Sequence, residues 1–295
     1  MVKHISEIAD PLHFIGIGGY GMSVLAQLAL ELGIKVQGTD INESEIIHNL
    51  KSLGAKIWLA HEKEHIKNAK TVIYSSAIKA NNPELSEAIK IGLKVLHRSD
   101  FLKIVSQPRK LIAIAGTHGK TTTSAITAHI LKSVGLDPTM VIGGYLIDST
   151  QFMDKIHGDG QYCVAELDES DGSIIKFNPY ISILTNVAYD HMDYFKSFDE
   201  IQNTFLSYLL NTALDGCCIV CADNTVARDL ALKVSHQVIL YGFDSVSDIK
   251  ADEYQFNDGK TYFRFKIKDK LYSTYIHSIG KHNVLNALGA ISVAY

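Results

Sequence analysis

The 295-residue sequence predicts an α/β protein of two parallel-sheet domains, the second carrying an antiparallel appendage. Three observations lead there. Short apolar runs alternate with helix-period segments along most of the chain, the pattern of strands joined by crossover helices. A polar break at Ser106-Gln107-Pro108-Arg109, holding one of only five prolines, separates two such stretches and sets domain bounds of 1–106 and 107–295. From about Asp248 to His277 the hydrophobic period drops to two, as in an antiparallel ribbon.

In the first domain the apolar runs place strands at 12–17, 35–38, 71–74 and 94–96, with helices opening near Gly21, Glu43 and Pro83. In the second, strands are expected at 111–115, 163–166, 181–184, 217–220 and 238–241, with helices from Lys120 and Phe198. Asn257-Asp258-Gly259 reads as a hairpin turn between 254–256 and 262–267. From His282 to Tyr295 an Ala-rich helix is apolar on most of its circumference, with Val284, Leu285, Leu288 and Ile291 among its residues. Such a helix needs cover on several sides. Since the sequence stops there, an exposed apolar patch, self-association through it and a further downstream domain are expected.

Composition narrows the class. With 46% hydrophobic and 20% charged residues the chain is an ordinary globular one, which excludes disordered and low-complexity architectures. The net charge of -4 supplies no overall positive field for nucleic acid or an anionic membrane, so neither is an expected partner and any phosphate site must be local. Residues 1–14 lack a secretory apolar core and no apolar run reaches about 18 residues, which makes a cytoplasmic protein the expectation. Cys217, Cys218 and Cys221 lie in one apolar run without a second Cys pair or spaced His pair, so they read as reduced core thiols rather than a metal site.

Two glycine loops carry the chemistry. Gly16-Ile17-Gly18-Gly19-Tyr20-Gly21 follows the first apolar strand and opens a helix beginning Met22-Ser23. Glycines there let the backbone approach a diphosphate, and the helix N-terminus offers unpaired amides and partial positive charge. Asp40, 19 residues beyond Gly21, stands where a ribose-binding acid would. Alone, this is a Rossmann-like dinucleotide fingerprint that a dehydrogenase would also carry, or a tight turn with no ligand.

The second loop, Gly116-Thr117-His118-Gly119-Lys120-Thr121-Thr122-Thr123, marks a P-loop NTPase-like domain, although Ile114 stands where the full pattern has glycine. Its amides would cradle phosphates, Lys120 would neutralise the β and γ oxygens, and the Thr121 hydroxyl would ligate Mg²⁺. Three further groups follow strand or turn signals. Ala165-Glu166-Leu167-Asp168-Glu169-Ser170-Asp171 puts carboxylates at the C-terminal edge of the sheet, either as a solvated loop or as hard oxygen ligands for Mg²⁺. Thr185-Asn186-Val187-Ala188-Tyr189-Asp190-His191-Met192-Asp193 brings a histidine to the same edge, either as an exposed loop residue or as part of the site, and Asn283 and Asn286 share one helix face, either as a cap and an exposed amide or as nucleotide contacts.

Taken together, and over the whole chain, these residues resemble the Mur ligase family, the ATP-dependent amide-forming enzymes of bacterial peptidoglycan precursor synthesis. Gly18-Gly19-Tyr20-Gly21-Met22-Ser23 looks like the branch that joins L-alanine to UDP-N-acetylmuramate, more than the branch that recycles a tripeptide. The resemblance implies that the muramate carboxylate attacks the γ-phosphorus of ATP, giving an acyl phosphate and ADP, and that the alanine amine then displaces phosphate. It implies that Gly18, Gly19, Gly21, Met22, Ser23, Asp40 and Ser76 serve the UDP-sugar. ATP would fall to Gly116, Thr117, His118, Gly119, Lys120, Thr121, Thr122, Asn283 and Asn286. Thr121 would ligate the ATP-bound Mg²⁺ and Glu166 and His191 would hold metal too, one for each of two Mg²⁺ ions, with Lys120, Glu166 and His191 carrying catalysis. Family members add a C-terminal domain that closes on the ATP and amino-acid sites, and this sequence ends where that domain would begin. A fragment that binds nucleotides but turns over slowly or not at all is therefore expected. The rival from another class is a nucleotide-driven switch, which has no need of a second metal site.

Overall fold

The computed structural model describes residues 5, 8–143, 155–191 and 194–295, so Met192 and Asp193 of the histidine motif lie outside the described residues. The chain first runs β1 (Leu12–Ile15), α1 (Tyr20–Glu31), β2 (Val36–Thr39), α2 (Glu45–Ser52), β3 (Lys56–Trp58), β4 (Thr71–Tyr74), α3 (Pro83–Lys90), β5 (Lys94–His97) and α4 (Arg98–Ser106). It continues β6 (Lys110–Ala115), α5 (Lys120–Ser133), β7 (Thr139–Val141), β8 (Tyr162–Glu166), β9 (Ile181–Leu184), α6 (Phe198–Leu210), β10 (Cys217–Cys221) and α7 (Thr225–Ala231). The last elements are β11 (Gln237–Gly242), β12 (Ile249–Asn257), β13 (Lys260–Ile267), β14 (Lys270–Ile276) and α8 (Lys281–Ile291). Two compact units result: Met1–Arg109 with Thr139–Asp159, and Lys110–Pro138 with Gly160–Tyr295.

The first unit is built on a parallel sheet of order β3-β2-β1-β4-β5, in which Ile15 pairs with Thr39 at the C-terminal end of β1. Its helices are marked by side-chain caps: Ser44 accepts from Ile47 N at α2, and Asn82 precedes Pro83 at α3. The core includes Ile15, Ile66, Val72, Leu85 and Ala88, and Phe14 meets Phe101 of α4 edge to face at 5.8 Å. The excursion Thr139–Asp159 is tied in by Glu31 at the end of α1. Its carboxylate accepts from Ile156 N at 3.0 Å and His157 N at 2.7 Å.

The second unit holds a sheet running β14-β13-β12-β11-β10-β9-β6-β8. Pairing is parallel from β8 through β12 and antiparallel from β12 to β14. The appendage thus joins through β12, and its first turn uses Asp258 and Gly259 at φ of +50° and +73°, the left-handed pair a two-residue hairpin requires. Tyr208 of α6 is fully buried and donates to Ala113 O at 2.8 Å, fixing the helix on the sheet. The cysteines are core thiols: Cys163, Cys218 and Cys221 are buried and outside any disulfide, and burial pushes both Cys218 and Cys221 up to about 11.

The expectation of an exposed C-terminal helix is corrected. Val284, Ala287, Leu288 and Ala290 of α8 are buried against α5 and the strands β10 to β12. Elements distant in sequence provide the cover that the local pattern could not reveal. Among the described residues no helix is long and apolar enough to cross a membrane.

Candidate active site

In the first unit, Gly16 turns the chain out of β1 at φ +75°. Gly16 N and Ile17 N donate to Thr39 O at 2.8 and 2.9 Å, and Gly18 N donates to Asp40 Oδ2 at 2.9 Å. A Cβ on Gly18 would stand 2.9 Å from that carboxylate oxygen, so glycine is what allows the bond. Asp40 Oδ1 accepts from Ile41 N and Asn42 N, so the acid expected near a ribose is bound to the loop through Oδ2 and to its own following backbone through Oδ1. Gly19 caps α1 with no side-chain hydrogen bond, and Gly21 lies in its first turn, so the helix N-terminus faces the loop without a competing side chain. Met22 and Ser23 are buried, with Ser23 Oγ donating to Tyr20 O at 3.0 Å.

Ser76 Oγ lies 3.0 Å from His97 Nε2, and the Arg98 guanidinium comes within 3.2 Å of where a Gly21 Cβ would be. A cation therefore sits beside the start of α1. The sequence reading missed His97 and Arg98, because they reach the loop only through the pairing of β5 at the sheet edge.

In the second unit the loop after β6 leaves almost no room for side chains. A Cβ on Gly116 would overlap the Thr185 hydroxyl, and one on Gly119, which caps α5 at φ +84°, would overlap the Asn286 amide. Thr185 Oγ1 donates to His118 O at 2.7 Å, Asn186 Nδ2 to the same carbonyl at 2.8 Å, and His118 N to Asn186 Oδ1 at 3.0 Å. Thr117 Oγ1 accepts from Ala188 N. The segment after β9 therefore braces the phosphate loop, a role the motif itself does not show for Thr185 or Asn186. Thr122 is half-buried in the first turn of α5.

Lys120 Nζ donates to Gly116 O at 2.6 Å, Thr117 O at 3.1 Å and Glu169 Oε1 at 3.0 Å. Glu169 is 2% exposed, and its Oε2 is buried with no hydrogen-bond partner. Burial pushes its carboxyl above the ordinary range, and the Lys120 charge pulls it part of the way back. Sequence reading saw Glu169 only as one of several acids; its burial is a tertiary property. Thr121 Oγ1 lies 2.9 and 3.0 Å from the Glu166 oxygens. His191, at φ +55° with its amide donating to Asp190 Oδ1, puts Nε2 3.6 Å from Glu169 Oε1. At α8 the Asn286 amide lies beside the Gly119 turn, and its Nδ2 donates to Asn283 Oδ1 at 3.3 Å.

Among the described residues no cluster of three or more His, Cys, Asp or Glu side chains is arranged to hold a metal ion. The paired Thr121 hydroxyl and Glu166 carboxylate are nevertheless the hard-oxygen donors that Mg²⁺ takes when nucleotide phosphates and water complete its shell. The donor set thus fits a nucleotide-bound Mg²⁺ and does not fit an all-protein cage.

Residues 11–110 match the family described as Mur ligase family, catalytic domain, and residues 114–294 match the Mur ligase middle domain. A UDP-N-acetylmuramate--L-alanine ligase of Lawsonia intracellularis is 42% identical over 286 residues, covering 96% of this chain and 62% of that protein. The chain thus spans about three fifths of the length of such relatives. Among solved structures, UDP-N-acetylmuramate-alanine ligase of Thermotoga maritima matches with TM-score 0.85 at 29% identity, covering 96% of this chain and 64% of its own. A murein peptide ligase of Psychrobacter arcticus matches with TM-score 0.82 at 28% identity and the same coverages. With both stretches matched, and a phosphate loop and glycine loop built as described, this chain belongs to the Mur ligase family.

Proposed function

We propose that the chain provides the nucleotide-binding parts of an ATP-dependent ligase that joins L-alanine to the carboxylate of UDP-N-acetylmuramate in the cytoplasm, for peptidoglycan precursor synthesis. In this reading, residues 1–106 serve the UDP-sugar and 107–295 serve ATP. The observation that carries it is the gathering of Lys120, Thr121, Glu166, Glu169 and His191 at the N-terminus of α5, which a dinucleotide-dependent dehydrogenase does not need.

The muramate carboxylate attacks the γ-phosphorus, ADP leaves, and the alanine amine displaces phosphate from the acyl phosphate while giving up a proton. Two anions must approach in the first step. Lys120 offsets their repulsion once a phosphate replaces the Gly116 and Thr117 carbonyls as its acceptor, and the α5 amides hold the phosphate chain in line. Mg²⁺, when bound, neutralises charge on the phosphate oxygens. Thr121 and Glu166 would hold it, and His191 stands close by on the Glu169 side. Glu169 keeps Lys120 in place from beneath, and Asn283 and Asn286 border the loop on the nucleotide side. At the other loop, Gly18, Gly19 and the α1 N-terminus take the diphosphate, with Arg98 alongside.

The tripeptide-recycling ligase is the second reading, favoured by the likeness to the murein peptide ligase structure. The 38–42% identity to proteins named as alanine ligases supports the first. Calorimetry of this chain with ATP–Mg²⁺, UDP-N-acetylmuramate and NAD separates the classes. The expected result is binding of the first two and none of NAD; NAD binding without UDP-sugar binding would sink the proposal.

A further inference from the structure

One buried carboxylate in the first unit belongs to neither nucleotide site. Glu84, at the start of α3, is fully buried, and so is His13 in the middle of β1. Glu84 Oε1 lies 3.1 Å from His13 Nε2, while Oε2 accepts from Thr39 Oγ1 at 2.6 Å and lies 2.8 Å from His61 Nδ1. Gln37 Nε2 donates to His13 Nδ1 at 3.2 Å and to His65 O at 2.8 Å, which leaves the His13 proton on Nε2, facing Glu84. His65 Nδ1 stands 3.8 Å from the same carboxylate, and its ring stacks on Trp58 at 4.6 Å. Donors from β1, β2 and the segment after β3 therefore converge on a single side chain of α3. Burial by itself would push the Glu84 carboxyl up, but the His13, Thr39 and His61 hydrogen bonds outweigh it and hold it below the ordinary range. It is thus an anion bound by three charge-assisted bonds, the kind that hold geometry most firmly.

What this anion holds is the end of β2. Thr39 is the residue whose carbonyl receives the Gly16 and Ile17 amides, and the next residue, Asp40, receives the Gly18 amide. A shift of Thr39 moves three of the loop's donors together. We propose that Glu84 is a positioning residue for the first glycine loop, acting through the Thr39 hydroxyl to set the loop backbone, and with it the N-terminus of α1, for a nucleoside diphosphate. The inference rests on the reading of that loop as the UDP-sugar site.

The test uses the whole chain, with UDP-N-acetylmuramate and ATP–Mg²⁺ titrated separately by calorimetry. Thr39→Val keeps the shape and removes the hydroxyl; Thr39→Ser keeps the hydroxyl. Thr39→Val should weaken UDP-sugar binding about tenfold, Thr39→Ser should stay within about twofold of the parent, and ATP affinity should be unchanged in both. In a Glu84→Gln background, Thr39→Val should add little, since both changes cut the same link. Equal UDP-sugar affinity for the Val and Ser variants, additive losses in the double variant, or a parallel fall in ATP affinity would each overturn the inference while leaving the site reading intact. Failure of the parent chain to bind the UDP-sugar while it binds ATP would overturn the site reading, and the inference with it.

Discussion

Replacing Lys120 with Met keeps the length and apolar character of the side chain and removes the positive charge paired with Glu169 at 3.0 Å. The stranded carboxylate is 2% exposed, one oxygen already lacks a partner, and what remains near it is a bond to its own backbone amide and His191 at 3.6 Å. Breaking a buried pair this way costs about 3–5 kcal/mol if the survivor stays charged. Glu169 has an alternative, which is to take up a proton. That route caps the penalty at about 1.36 kcal/mol for each pH unit above the ordinary carboxyl value of 4.5, or about 3.4 kcal/mol at pH 7 and about 0.7 kcal/mol at pH 5. The sign follows from linkage. A carboxyl raised in the folded state binds its proton more tightly there than in the unfolded chain, so folding is favoured below pH 4.5 and loses ground as pH rises. Urea unfolding followed by circular dichroism, without nucleotide, should find Lys120→Met destabilised by about 3 kcal/mol at pH 7 and by less than about 1 kcal/mol at pH 5. Adding Glu169→Gln should recover most of the loss at pH 7. Equal destabilisation at both pH values, or no recovery in the double variant, would refute this account of the pair.

Three other outcomes are expected. Gly119→Ala forces a Cβ onto the Asn286 amide at a left-handed position, so ATP binding measured by calorimetry should be lost while UDP-sugar binding persists. Glu31→Ala leaves the Ile156 and His157 amides without their acceptor and should lower the stability of the first unit by about 1.5–3 kcal/mol, read from its unfolding transition. Iodoacetamide at pH 7.5 should label the partly exposed Cys217 first and leave Cys218 and Cys221 unmodified until unfolding, as judged by peptide mass spectrometry, because burial holds both thiols near 11.

The parts legible in the sequence are those written in consecutive residues. The Gly-Lys-Thr turn needs only its own backbone and the start of α5, and the hairpin at Asp258-Gly259 needs only two left-handed residues. Strands β1, β4, β6 and β9 are buried nearly throughout, so their continuous apolar runs announce them. Short or mixed elements did not announce themselves. β3 (Lys56–Trp58) has one exposed and two half-buried residues, and α4 begins Arg98-Ser99-Asp100, which resembles a polar loop. β14, exposed on most of its residues, is held by pairing with β13 more than by burial. The side chains that fix the sites were hidden for a different reason. Thr185 and Asn186 brace a loop some 67 residues earlier, and Glu84 gathers donors from positions 13, 39 and 61. No local pattern encodes such convergence; it appears only when the sheet order brings those strands together. The apolar patch expected on α8 was misread for the same reason, since α5 and the sheet, distant in sequence, cover that circumference.

The interleaving of the two units has a consequence for synthesis. The first unit needs Thr139–Asp159, yet a stretch of the second, Lys110–Pro138, is made before it. A ribosome that has finished Arg109 must add some 50 further residues before the last piece of the first unit exists, a wait of about 3–10 s at ordinary elongation rates. During that interval Glu31 has no Ile156 or His157 amide to bind, and β6 and α5 emerge ahead of β8 and β9, the strands that flank β6 in the sheet. The nascent chain therefore carries two unfinished halves at once, and pausing within 110–159 would prolong the period in which chaperones and proteases can reach both.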